Sequence, residues 1–242
     1  RKSGDIDLLV PKTEEFSKAC CRLEAQGYII KEKQHANHHV TFETPEGIVI
    51  ELHTMLVEPF DNQRVNRYLR QLVLEYDTHK ELRNVLGSNL PVPEDAYHAY
   101  YLLIHMLQHF LASGFGLKLL CDWVVFWNRE YAEEVQEKFL QLIRESDLQY
   151  FTRCITAICI SYLGLDGARV RFLEVETAVV EDVEEILLEI LEAEEFGKLD
   201  RDRMVILRGT APMDYIREFH HQMQLNYPEY EKYMLLWPVL WF

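Results

Sequence analysis

Apolar residues change their spacing near residue 60. Up to that point they come in short runs and alternations, and beyond it they recur every three or four positions. Ile6, Leu8, Leu9 and Val10 form a compact apolar run behind Gly4, which predicts a buried strand. Pro11, Lys12 and Thr13 lead into a helix with Glu14 and Glu15 in its first turn, where the helix dipole favours acids. Phe16, Ala19, Cys20 and Leu23 share one face of that helix, and Gly27 ends it. Tyr28–Ile30, His39–Phe42 and Ile48–Leu52 read as strands. The turn residues Thr44 to Gly47 join the last two into a hairpin. From about residue 62 the pattern is helical almost throughout, with helices expected over 62–76, 94–112, 116–129, 131–145, 147–163, 180–196 and 213–224. The expected fold class is therefore α+β, with a small mixed sheet over 1–58 followed by a mostly α-helical region over 59–242.

Three acids interrupt this pattern. Asp5 and Asp7 stand inside the first apolar run, and Glu51 stands inside the Ile48–Leu52 strand. Positions i and i+2 of a strand share a face, with alpha carbons roughly 6.5 Å apart. Asp5 and Asp7 should thus project together, beside a glycine that lets other groups approach. Carboxylates held together at the edge of a core repel unless a cation neutralises them. Hard oxygen donors of this kind suit Mg2+ (or Mn2+), which keeps several waters and takes one or two carboxylates together with substrate phosphates. An isolated Asp-x-Asp also occurs in solvated turns, but two separate interruptions of apolar strands point to one shared site.

Composition narrows the partners. The 242 residues carry 25 Lys and Arg against 40 Asp and Glu, a formal net charge of −15. That balance disfavours a long nucleic acid, which needs a basic track for its phosphates. No apolar stretch approaches the ~20 residues that span a membrane, and no signal-peptide pattern is present. Five cysteines at 20, 21, 121, 154 and 159, odd in number and without a Cys-x-x-Cys pair, predict reduced core thiols of a cytoplasmic protein. The acids from Glu181 to Glu195 read as a solvated helix face, with Ile186, Leu187, Ile190 and Leu191 turned inward.

Histidines supply the remaining chemistry. His53 lies two residues beyond Glu51 and would flank the acids if the strand continues. His35, His38 and His39 cluster ahead of a strand, either as phosphate contacts or as a solvated hairpin edge. His105 and His109 have the i, i+4 spacing of helical metal ligands, but Met106, Leu107 and Gln108 between them lack the glutamate of a zinc protease. Packing, or a hydrogen bond to Asp122, is the expectation for that pair. Trp123, Phe126 and Trp127 read as core aromatics.

A sheet that opens with Gly4-Asp5-x-Asp7 and carries a third acid on a neighbouring strand resembles the polymerase-beta-type nucleotidyltransferase fold. More closely, the chain is similar to the uncharacterised nucleotidyltransferase family. The resemblance rests on Arg1, Gly4, Asp5, Asp7, Leu8, Leu9, Val10, Gly27, Tyr28, Glu51, Leu52 and His53, then on His105, His109, Gly116, Asp122, Tyr227 and Pro228. It implies a metal-dependent transfer of a nucleoside monophosphate from a nucleoside triphosphate to an acceptor hydroxyl. Asp5 and Asp7 would bridge two metal ions; Glu51 would bind the catalytic one and ease deprotonation of the acceptor. Arg1, Gly4, His53 and His39 would lie near the phosphates. The acceptor is unidentified, with a small molecule or protein favoured over a long nucleic acid. A non-catalytic nucleotide- or partner-binding relative and a metal-dependent phosphohydrolase remain open as alternatives.

The family pattern also has an upstream strand–helix piece with a glycine turn that cradles the triphosphate, which would precede Arg1. Together with the aromatic ending Trp237–Phe242, this predicts a fragment of a longer protein that by itself binds triphosphate poorly and transfers essentially nothing.

Overall fold

A computed structural model describes residues 5–33, 39–57, 59–60, 62–112 and 114–192. The backbone separates into two compact units, with the break between Asp61 and Asn62. Its class is mixed α+β: strands near the start of the chain, then helices.

In the first unit, β1 (Asp5–Leu9), β2 (Ile29–Lys33), β3 (His39–Glu43) and β4 (Val49–His53) form a four-stranded sheet in the order β1-β4-β3-β2. β1 runs parallel to β4; helix α1 (Thr13–Ala25) carries the chain from β1 across to β2, and β3 is antiparallel to both β4 and β2. The β3–β4 hairpin closes as expected, with the Thr44 hydroxyl accepting the amides of Glu46 and Ile48 at 3.2 Å. Period-2 alternation then divides the sheet. Phe42, Ile50 and Leu52 are buried against Phe16, Ala19, Cys20 and Leu23 of α1, the predicted apolar face of that helix. The intervening residues of β3 and β4 take the opposite face.

β1 departs from the buried strand expected. Among the described residues it lies at the end of the sheet, and Ile6 and Leu8 are 45% and 41% exposed. An apolar run is ambiguous in this respect: it marks a strand but not how many neighbours the strand has.

The second unit opens with α2 (Gln63–Leu74), capped by Asn62, whose side-chain oxygen accepts the amides of Arg64 and Val65 at 3.0 and 3.2 Å. A hairpin that the helical reading omits follows: β5 (Lys80–Val85) and β6 (Ser88–Pro93). Its two-residue turn has positive φ at Leu86 (51°) and Gly87 (87°), and Pro91 and Pro93 sit in a strand that pairs with β5 alone. Leucine in place of the usual asparagine and prolines within the strand hide the hairpin signal. Arg83 anchors it, its guanidinium donating to Asp95 at 2.6 Å.

Helices α3 (Asp95–Ala112), α4 (Leu117–Trp127), α5 (Glu133–Glu145), α6 (Gln149–Tyr162) and α7 (Val180–Glu192) make up the remainder, with α3 against α4 and α5, and α6 against α4, α5 and α7. Trp123, Phe126 and Trp127 are buried as expected, and the Trp123 indole donates to the Thr156 hydroxyl at 3.2 Å. All five cysteines are free, but only Cys154 and Cys159 are buried; Cys21 and Cys121 are exposed, which corrects the expectation of core thiols. On α7, Ile190 is buried while Leu191 is 52% exposed, a quarter-turn past the apolar stripe. Among the described residues no helix is long and apolar enough to cross a membrane. The helix expected over 213–224 lies outside the described residues.

Two stability measurements check this packing. Phe42→Ala removes a side chain with no exposure from the small sheet core and should cost ~3–5 kcal/mol in chemical denaturation. Leu86→Asn should instead stabilise by ~0.5–1 kcal/mol, because asparagine tolerates the left-handed backbone there and an exposed leucine is lost.

Candidate metal and phosphate site

The face of the sheet opposite α1 carries the acids. Register sets Asp7 directly beside Glu51 across the parallel β1–β4 pair, and Leu9 beside His53. Neighbouring strands lie about 4.8 Å apart, so residues paired in register on one face must interact. His53, two residues beyond Glu51, returns to the same face and turns its ring between the two carboxylates. Its Nε2 is 3.0 Å from Asp7 Oδ1 and 3.4 Å from Glu51 Oε2. The side chains of Glu51 and His53 are about one-quarter exposed, at 27% and 23%, whereas Asp7 is 54% exposed. The cluster therefore has a sheltered base and an open rim.

Charge explains the arrangement. Burial disfavours an imidazolium at His53, but hydrogen bonds to Asp7 and Glu51 outweigh it and push the His53 pKa up to about 9. Reciprocally, the hydrogen bond from His53 holds the Glu51 carboxyl below its ordinary range, against the opposing effect of burial. A protonated His53 thus neutralises part of the paired negative charge. His39 faces His53 across the β3–β4 ladder, their ring centroids 5.2 Å apart.

Asp7, Glu51 and His53 each offer a ligand atom within 4.8 Å of the others, and they form the one such group of three among the described residues. The two carboxylate oxygens suit a divalent cation, and the His53 nitrogen could join them only in its neutral form. Sequence reasoning set His53 beside the acids rather than among them. Its signal was the Glu51-x-His53 spacing, and what completes the group is the parallel register that carries Asp7 to the same place. Asp5 lies in β1 opposite Val49, two residues before Asp7; its side chain lies outside the described residues, as do Arg1, Gly4, His35 and His38. His105 and His109 are not part of this group. Their Nε2 atoms lie 2.8 Å apart in a hydrogen bond between the two rings on α3.

A strand-borne pair of acids with a histidine between them makes a group that could hold a metal ion. The sequence profile of the family described as "Uncharacterised nucleotidyltransferase" matches residues 1–164, and the chain belongs to that family. No curated protein matches the chain. Membership of this family points to nucleotidyl transfer as the general activity and to a nucleotide as substrate.

The charge balance has a direct readout in the metal-free protein. Histidine NMR resonances should show His53 titrating near pH 9, and Glu51→Gln should move that midpoint down toward the ordinary value of 6.5. Because the folded-state pKa is the raised one, the stability His53 contributes is complete below about pH 6.5 and is lost as pH rises through 9. A His53 midpoint near 6.5 in the unaltered protein would contradict the geometry.

Proposed function

We propose that the protein is a Mg2+- or Mn2+-dependent nucleotidyltransferase, and that residues 1–58 form its catalytic unit with 59–242 as a helical domain. The observation that carries this reading is the convergence of Asp7, Glu51 and His53 on one sheet face in a chain of a nucleotidyltransferase family. Asp7 and Glu51 would hold the cations, and the family resemblance adds Asp5 to them. When bound, the ions supply Lewis-acid stabilisation of the phosphate oxygens at the attacked phosphorus and on the leaving pyrophosphate. An acceptor oxygen forms a bond to the alpha phosphorus, the bond to pyrophosphate breaks, and the hydroxyl proton passes toward Glu51. His53 and His39, their ring centroids 5.2 Å apart, donate hydrogen bonds to phosphate oxygens, and the family resemblance adds Arg1 and Gly4 as phosphate-binding residues. The open rim at Asp7 admits an acceptor from solvent, and the formal charge of −15 favours a small molecule or a protein over a long nucleic acid.

Metal affinity should be weak without nucleotide and higher with it, because phosphate oxygens complete the coordination shell. The protein, incubated with host extract, Mg2+ or Mn2+ and each labelled nucleoside triphosphate, should form a mass-shifted adduct on an acceptor. Asp7→Asn and Glu51→Gln should each lower that transfer by at least about a hundredfold. Release of inorganic phosphate without any adduct would instead favour a phosphohydrolase, and saturable nucleotide binding without turnover a non-catalytic relative.

A further inference from the structure

Two loops meet within the helical unit, well away in sequence from the acids of the sheet. One follows α4 and contains Arg129, Glu130 and Tyr131; the other is the 3-10 segment Gly167–Leu173 after α6. Asn128 ties the two loops together, and Arg153 of α6 fixes the far end of the second. The Asn128 side chain donates to the Gly164 carbonyl at 3.3 Å and accepts the Asp166 amide at 2.9 Å. At the other end, Arg153 donates to the Leu173 carbonyl at 3.1 Å and pairs with Glu174 at 2.9 Å. Between the loops lies a cavity of about 350 Å3, bordered by Arg129, Arg169, Arg171, Glu130, Tyr131 and Phe172. That is the lower end of the size range for small-molecule sites.

Its charge is opposite to that of the chain. Three arginines border this cavity in a protein of formal net charge −15, Arg129 and Arg171 being exposed to solvent. Arg169 is accounted for by Glu130 at 2.8 Å and Asp166 at 3.9 Å. Neither Arg129 nor Arg171 has a carboxylate partner among the described residues, although 40 acids were available to the sequence. Arg129 lies over the Phe126 ring, 5.9 Å from its centroid. Like charges gathered in a bordered cavity repel, and an anion relieves that cost. Two aromatic rings are also among the residues that line it. Tyr131 is held by stacking on Phe126, at 4.7 Å between ring centroids, and Phe172 packs on Trp127 at 5.2 Å.

From this combination we infer that the cavity binds a small organic phosphate, its phosphate held by Arg129 and Arg171 and its organic part against Tyr131 and Phe172. Arginine's planar fork matches a phosphate group in two-point hydrogen bonding. The two rings in the otherwise polar lining favour a ligand with an apolar or ring portion over the bare anion. The matched family profile ends at residue 164, so one of the two loops lies beyond it. The site needs no metal and is independent of the proposed chemistry on the sheet.

Calorimetry in the presence of EDTA, which removes metal-mediated phosphate binding, tests it with inorganic phosphate and phenyl phosphate as probes. Both should bind one-to-one, phenyl phosphate more tightly. Arg171→Gln should weaken phenyl phosphate about tenfold, as expected for loss of a charge-assisted contact. Arg129→Gln with Arg171→Gln should abolish binding, and Arg67→Gln, on the exposed side of α2, should leave it unchanged. Amide resonances of Tyr131 and Phe172 should shift on titration of the unaltered protein, a readout independent of how the variants fold. Absence of saturable binding, shifts confined to other residues, or an equal loss from Arg67→Gln would overturn the site. Equal affinity for the two probes would overturn its assignment to an organic phosphate.

Discussion

The parallel pairing of β1 with β4 sets Asp7 beside Glu51, and the resulting repulsion is what the rest of that sheet face accommodates. Strand spacing of about 4.8 Å leaves two in-register carboxylates no room to separate. Moving either strand by one residue would turn the acids into the apolar core against α1, so hydrophobic burial of Ile50, Leu52 and Phe42 enforces the register. Burial on one face thus holds like charges together on the other. His53, reaching back from the end of β4, supplies positive charge to the pair.

The two units divide the chemistry between opposite kinds of charge. The sheet unit concentrates carboxylates and histidines, groups suited to a divalent cation and its phosphates. The helical unit has an aromatic core of Trp123, Trp127 and Phe139, beside which two clasped loops bring three arginines to a cavity. Stability in the helical unit comes from that aromatic packing. Among the described residues the core cluster of the sheet unit has three buried apolar side chains, Phe42, Ile50 and Leu52.

Much of this was legible in the sequence wherever local pattern and tertiary role agree. Glycine and proline punctuation, together with period-2 alternation, located the β3–β4 hairpin. The i, i+3, i+4 stripe of Phe16, Ala19, Cys20 and Leu23 identified the packed face of α1. The acids of β1 and β4 stood out because strands with apolar runs rarely tolerate them. What escaped was set by neighbours rather than by the local pattern. Ile6 and Leu8 read as buried, yet β1 is at the sheet's end among the described residues. The β5–β6 hairpin was hidden by a leucine at a left-handed turn position and by two prolines. The depth of His53 depends on a parallel partner 46 positions earlier in the chain, which no window around Glu51 contains. The arginine cavity likewise joins residues nearly 40 positions apart.

The acid cluster is the centre of the functional reading, and manganese located by anomalous scattering in a crystal tests it most directly. With a nucleoside triphosphate analogue present, the strongest manganese peak should lie at coordination distance, roughly 2 Å, from carboxylate oxygens of both Asp7 and Glu51. A structure whose only manganese lies elsewhere, for example between His105 and His109, would contradict it.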